Sequence, residues 1–331
     1  MDLLPSNTSI ELLKHVILHD ASPAATGNCS SLNYDSAYHF VLIPILYMII
    51  FIVGIIGNTV VVVGLTCCLQ AKSVANIYIV NLAIADLSFL ATLPLWAVDM
   101  SGKYKWIFGS TMCKFCGTMS SVNMYASIFL LTCLSIDRYF GIVCPMESLK
   151  NRTITKAKMI TLIIWVSACA MSTPTMYFRQ AYYSNNFHHT VCTMKYPTNS
   201  MFWPIFVESM KYVVGFVVPF CIQGICYWLI YKIILASNRV KKTKSENILK
   251  VVVSMVLAFL ICWLPFHIFN LLKLLARFQI IQNCAVIHTI NVVIPFTVCI
   301  AFSNSCVNPI LYCFASKRFR NQLIKVLKRS L

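Results

Sequence analysis

Seven long apolar runs dominate the chain, at about residues 41–68, 75–98, 111–143, 157–178, 204–235, 247–275 and 285–314. A bilayer core is crossed by about 20 helical residues, at ~1.5 Å each. Runs of this length predict helices, because barrel strands are shorter and alternate strictly. The third run departs from plain apolarity. It lies within CKFCGTMSSVNMYASIFLLTCLSIDRYFGIVC, Cys113 to Cys144, and places Asn123, Ser127, Thr132 and Ser135 at membrane depth. Polar groups there are tolerated only against protein or water. The pattern therefore predicts a central helix enclosed by the others. That helix ends in Asp137-Arg138-Tyr139, where an acid beside an arginine makes a poor lipid anchor and a good ionic latch.

Composition agrees with the pattern. Of 331 residues, 59% are hydrophobic and 11% charged, against roughly 25% charged in a soluble domain. The mean hydropathy of +0.75 identifies a multispanning membrane protein. The predicted fold class is an all-α membrane protein, a seven-transmembrane helix bundle with a short amphipathic eighth helix. Its expected divisions are an extracellular glycosylated segment 1–40, a membrane domain 41–314, and an amphipathic helix with a short cytoplasmic tail 315–331.

A net charge of +17 would suit nucleic acid if it were clustered on one face, but it follows topology. With the N-terminus outside, 18 Lys/Arg fall on the inner side and nine on the outer. This is the positive-inside rule, which fixes orientation, with attraction to anionic inner-leaflet lipids as a by-product. No nucleic-acid partner is expected. Residues 1–40 lack the apolar core of a cleavable signal, so the first span is expected to direct insertion. Asn7 and Asn28 begin glycosylation sequons on the outer side, whereas the sequon at Asn151 faces the cytosol.

Sixteen cysteines divide by location. Twelve lie within or at the inner ends of apolar runs, where a free Cys behaves as a small hydrophobe. Cys29, Cys113, Cys192 and Cys284 occupy outer segments, and an even set there suggests two disulfides in any of three pairings. Other polar residues interrupt the spans. Asp86 is a carboxylate near mid-membrane, a functional candidate or a neutral structural hydrogen-bonder. Pro94 should kink the second helix and turn Trp96 and Asp99 inward. Arg179 to Trp203 is polar and long enough for an outer lid. Glu208 and Lys211 share a face at i, i+3, although a lysine there can also snorkel to the interface. Trp263 lies below a kink expected at Pro265. Asn304, Ser305, Asn308, Pro309 and Tyr312 crowd the seventh run, and Gly54 and Gly57 suit close packing in the first.

Taken in order, these residues resemble the rhodopsin-like (class A) G-protein-coupled receptors over about residues 40–328. The matches are Gly57-Asn58, LAIADL around Asp86, Cys113, Asp137-Arg138-Tyr139, Trp165, Pro219 with Tyr227, CWLP at Cys262–Pro265 and NPILY at Asn308–Tyr312. Within that family, LIPILYMIIFIVG, LATLPLWAV, NMYASIFLLTCLSIDRY, ESMKYVVGF and AFSNSCVNP are similar to the angiotensin-receptor branch, nearest its type 2 members, with bradykinin receptors as neighbours. The resemblance implies a plasma-membrane receptor for an extracellular peptide that signals to a heterotrimeric G-protein. It implies the disulfides Cys113–Cys192 and Cys29–Cys284. Lys211 and Arg179 would grip the peptide's C-terminal end, with Trp96, Tyr47 and Tyr104 lining the pocket. Where that branch has two aspartates near the third outer loop to meet the hormone's arginine, this chain has Lys273 and Asn291, leaving Asp99 and Glu208 as acids near the mouth.

The implied mechanism is a two-state shift without covalent chemistry. Trp263 senses the pocket and the sixth helix swings outward about Pro265. Arg138 leaves Asp137 for Tyr227 and the G-protein, while Tyr312 turns inward. Asp86, Asn123, Ser127, Asn304 and Asn308 resemble a cluster able to hold an allosteric sodium ion. No cofactor is otherwise expected. Ser316 and Ser330 are the hydroxyls of the tail, so weak arrestin engagement is expected. Rival readings are a bradykinin-like receptor, a decoy or constitutively biased receptor, and a transporter or channel. The last would show matched broken helices, and the sequence has none. An intramembrane enzyme lacks support, since HExxH and GxSxG do not occur.

Overall fold

The computed structural model describes residues 39–68, 73–144, 152–185, 188–197, 202–236, 242–278 and 280–315. Seven helices in this set are long and apolar enough to cross a membrane: α1 His39–Thr66, α2 Val74–Ser101, α3 Gly109–Val143, α4 Ile154–Phe178, α5 Phe202–Ile233, α6 Val253–Ala276 and α7 Cys284–Leu311. The leader with its sequons at Asn7 and Asn28, the amphipathic eighth helix and the tail lie outside the described residues, as does the side chain of Tyr312.

The enclosed centre is shared by two helices. Half of the most apolar stretch of α3 is buried and slightly more, 56%, of that of α2, against 22% in α1. Leu130, Leu131 and Leu134 of α3 pack with Leu82, Ala85, Phe259 and Trp263 in one core cluster. A second cluster joins Ile43, Tyr47 and Ile50 of α1 to Phe89, Leu90 and Leu93 of α2 and Cys299 and Cys306 of α7. Small residues set the closest approaches. A Cβ on Gly54 would lie 2.6 Å from Leu90 Cδ1, and one on Gly57 2.9 Å from Pro309 Cβ. Both glycines therefore serve packing, as expected.

Prolines bend these helices where their missing N–H breaks the ladder. In α2 the interruption falls just before Pro94, at Ala91 and Thr92. There the Thr92 amide donates to Phe89 O at 2.8 Å, and its Oγ1 donates to the same carbonyl at 2.7 Å. Ahead of Pro219 the fifth helix widens into a π turn, Val213–Val217. One extra residue in the turn accommodates the proline ring. Gly215 sits in that turn, where a Cβ would lie 3.2 Å from both Met124 Cε and Tyr125 Cε1.

The outer segment after α4 adds the strands in an otherwise helical fold. β1 Arg179–Ser184 pairs antiparallel with β2 His189–Met194, Ala181 opposite Cys192. The Cys113–Cys192 disulfide ties this hairpin to the start of α3, and Trp106 N donates to Thr190 O at 2.9 Å. Cys284 is also disulfide-bonded; Cys29, its expected partner, lies outside the described residues.

Candidate functional site

A cavity of about 360 Å³ opens between the hairpin and the outer halves of the helices. The break in α2 turns Trp96 and Asp99 into it. Beyond α2 the chain reverses through Lys103 and Tyr104, with φ of 56° and 64°. This left-handed pair costs most residues energy and persists where surroundings impose it. It brings the Tyr104 amide 2.8 Å from Asp99 O. Burial pushes the Tyr104 phenol above its ordinary range, and the nearby Asp99 charge adds to this. Tyr104 therefore stays neutral, lining the cavity beside Tyr47.

Arg179 enters at the root of β1. Its Cζ lies 4.7 Å from the centre of the Trp96 ring, a cation–π distance. Its stem crosses Gly117, where an added Cβ would overlap Arg179 Cδ. Lys211 lines the cavity from α5, with Nζ 2.9 Å from Glu208 Oε1 one turn earlier. The expected ligand lysine is thus paired, and Glu208 enters the site through that pair. Lys273 lines the cavity too; Asn291 lies on α7 and does not. At the floor Trp263 stacks on Phe259 with centroids 5.6 Å apart, and Phe259 meets Phe220 at 5.8 Å. An aromatic path therefore leads from the cavity to the inner half of α5 and α6.

Deeper in the bundle, Asp86 is fully buried and accepts three hydrogen bonds: from Asn123 Nδ2 at 2.9 Å, Ser305 Oγ at 2.8 Å and Asn308 Nδ2 at 3.1 Å. Asn123 also reaches Ser127 Oγ at 3.5 Å. Asn58 Nδ2 donates to Ser305 O at 2.8 Å and Gly54 O at 2.9 Å, so α1, α2, α3 and α7 meet here. Asn304 does not join Asp86; its Oδ1 is buried without a hydrogen bond, as is that of Asn308. Among the described residues, no group of three His, Cys, Asp or Glu could hold a metal ion.

At the inner end Asp137 is held by two arginines, Arg138 and Arg152, the Arg152 Nη2 at 2.7 Å. Tyr227 OH lies 2.7 Å from Ser135 Oγ. Arg138 and Tyr227, expected to meet on activation, are each engaged with other partners. Tyr139 packs edge-on against Phe140 at 5.4 Å. Pro265 lies inside the sixth helix and Pro309 inside the seventh.

Three residue roles and one backbone turn escape a reading of sequence. Ser305 supplies the bond to Asp86 that would suit its neighbour Asn304. Arg152 joins the latch from 15 residues away. Gly117 makes room for Arg179, and the Tyr104 turn folds back on Asp99. Arg152 carried a signal, a cation on the same face of the membrane as Asp137. Gly117 carried none, since a helical glycine usually reports helix packing alone.

The family model described as 7 transmembrane receptor (rhodopsin family) matches residues 57–312. The type-1 angiotensin II receptor of Homo sapiens is 42% identical over 293 residues, covering 88% of this chain and 82% of that protein. Type-1 angiotensin II receptor B of Rattus norvegicus is 41% identical over the same coverage. Type-1 angiotensin II receptor A of Xenopus laevis is 39% identical over 301 residues, 91% of this chain and 83% of its own.

Proposed function

The chain belongs to the rhodopsin family of seven-transmembrane receptors, in its angiotensin-receptor branch, and from that premise we propose that its ligand is a peptide held by a free C-terminal carboxylate. It is a multi-pass plasma-membrane receptor, not an enzyme, and it binds an extracellular peptide and a heterotrimeric G-protein. The observation carrying the finer reading is that Arg179 and Lys211, from separate elements, line one cavity. Charge-assisted bonds to a carboxylate are about twice as strong as neutral ones, more so in a half-dry site.

In this mechanism the carboxylate draws Lys211 away from Glu208, and ligand pressing on Trp263 favours the arrangement with α6 swung outward. Arg138 then exchanges Asp137 for Tyr227 and the G-protein. A ligand drives this only through its differential affinity for the two states. Asp86, with the unpaired oxygens of Asn304 and Asn308 nearby on α7, suits a small cation that favours the resting state.

Angiotensin is the nearest template for the peptide, and Lys273 in the cavity favours a relative of it. A cation there repels an arginine at the place where the branch offers aspartate. The test is G-protein nucleotide exchange driven by a panel of angiotensin and bradykinin fragments, as acids and as C-terminal amides, on wild type and Lys211→Ala. Acids are expected to outperform amides on wild type by tenfold or more, with the difference lost in the variant. Equal responses of acid and amide on wild type would remove the carboxylate grip.

A further inference from the structure

Asp99 is 6% exposed, lines the outer cavity and has an Oδ1 without a hydrogen-bond partner. It takes part in none of the three ion pairs among the described residues. One turn earlier in the same helix Trp96 also lines the cavity, and its indole N–H is buried without an acceptor. A carboxylate taken out of water is costly until a partner arrives. Two orphaned groups of opposite hydrogen-bonding sense, three residues apart on one helical face, make a receiving site for something absent from the protein itself.

The charges along the cavity are sorted. Asp99 is the acid among the described lining residues, and Arg179, Lys211 and Lys273 are the cations. The Tyr47 and Tyr104 phenols lie near enough to Asp99 to feel its charge, and their rings give aromatic walls that suit a cation. Arg179 acts on Asp99 electrostatically, while its guanidinium lies over Trp96.

We propose that Asp99 and Trp96 form a second ligand subsite, which takes a guanidinium or ammonium group of the peptide on Asp99 and an adjacent peptide carbonyl on the Trp96 N–H. This rests on the peptide reading above. The ligand is then bipolar, its carboxylate toward Lys211 and its basic group toward α1 and α2, away from Lys273.

Three pools of synthetic octapeptides test it by nucleotide exchange on membranes of matched surface expression. One pool has a free carboxylate and an arginine among its first four positions. The second replaces that arginine with citrulline, which keeps the shape and loses the charge. The third is the first pool amidated. Wild type is expected to favour arginine over citrulline by about tenfold, the scale of one charged hydrogen bond. Asp99→Asn is expected to abolish that preference, lowering arginine-pool potency about tenfold more than citrulline-pool potency, while Asp99→Glu retains it. No preference in wild type, or an equal loss for both pools in Asp99→Asn, overturns the proposal; the second result would make Asp99 a support for Arg179. If acid and amide pools match while the arginine preference holds, the carboxylate grip fails and the subsite stands. Silence from all pools overturns both readings.

Discussion

Asp137 grips two arginines, and one of them, Arg152, arrives from the far side of the loop joining α3 to α4. Arg152 is a third exposed, so the pair is weaker than its geometry suggests. Its leverage comes from position: under the proposed mechanism it adds a tie on Asp137 that opposes activation. Arg152→Gln is expected to raise ligand-free nucleotide exchange severalfold, roughly the 1 kcal/mol upper range of an exposed pair, with surface expression unchanged. Unchanged basal exchange would make the contact incidental. Gly117 sets a second expectation. Gly117→Ala must push Arg179 off the Trp96 ring, so agonist potency should fall at least tenfold while basal exchange stays level. Residue roles were unevenly legible. Asp86 and the DRY triplet were conspicuous because charge inside an apolar run is rare. Gly117, Arg152 and Ser305 matter through neighbours distant in sequence, which no local pattern reports.

Among the elements, the seven spans were the most legible feature, since hydropathy over 20 residues leaves few alternatives. The hairpin was not. Its strands lie in a polar segment read as a lid, and strand pairing depends on a partner across the turn rather than on periodicity. The Cys113–Cys192 bond closes a long stretch, with 79 residues of separation. Cys192→Ser is expected to lower the melting temperature of purified receptor and weaken peptide binding, because the root of β1 carries Arg179. A chain-entropy estimate for so long a loop is about 4.5 kcal/mol. Retained melting temperature would show that Trp106 and the strand pairing suffice. The bend of α2 was expected at Pro94 and falls just before it, as proline's effect reaches back toward the preceding turn. Close packing of α1 can be checked through Gly54. A leucine there meets Leu90 and Cys306, and overpacking should cost about 1–3 kcal/mol, read as reduced thermal stability.

At the scale of the molecule, the bundle divides its polar groups into three storeys: the outer cavity, the Asp86 cluster and the Asp137 latch. Each bridges several helices, so the proposed two-state shift would break these contacts in discrete steps rather than continuously. If the middle storey holds sodium, raising NaCl at constant ionic strength should reduce agonist affinity in wild type and leave Asp86→Asn insensitive. Equal salt responses would assign Asp86 to structure alone. The family was readable from motifs falling one set per span. What the sequence could not disclose was which partners those polar groups take in the folded bundle.

The pair between Lys211 and Glu208 carries one last consequence. A newcomer to this lysine does not find a vacancy; it must evict a tenant. An amide or an alcohol has little with which to outbid a carboxylate already seated at 2.9 Å, whereas another carboxylate trades like for like. If Lys211 receives the peptide's carboxylate as proposed, rejection of near-miss peptides follows from this pair, as selectivity by exclusion.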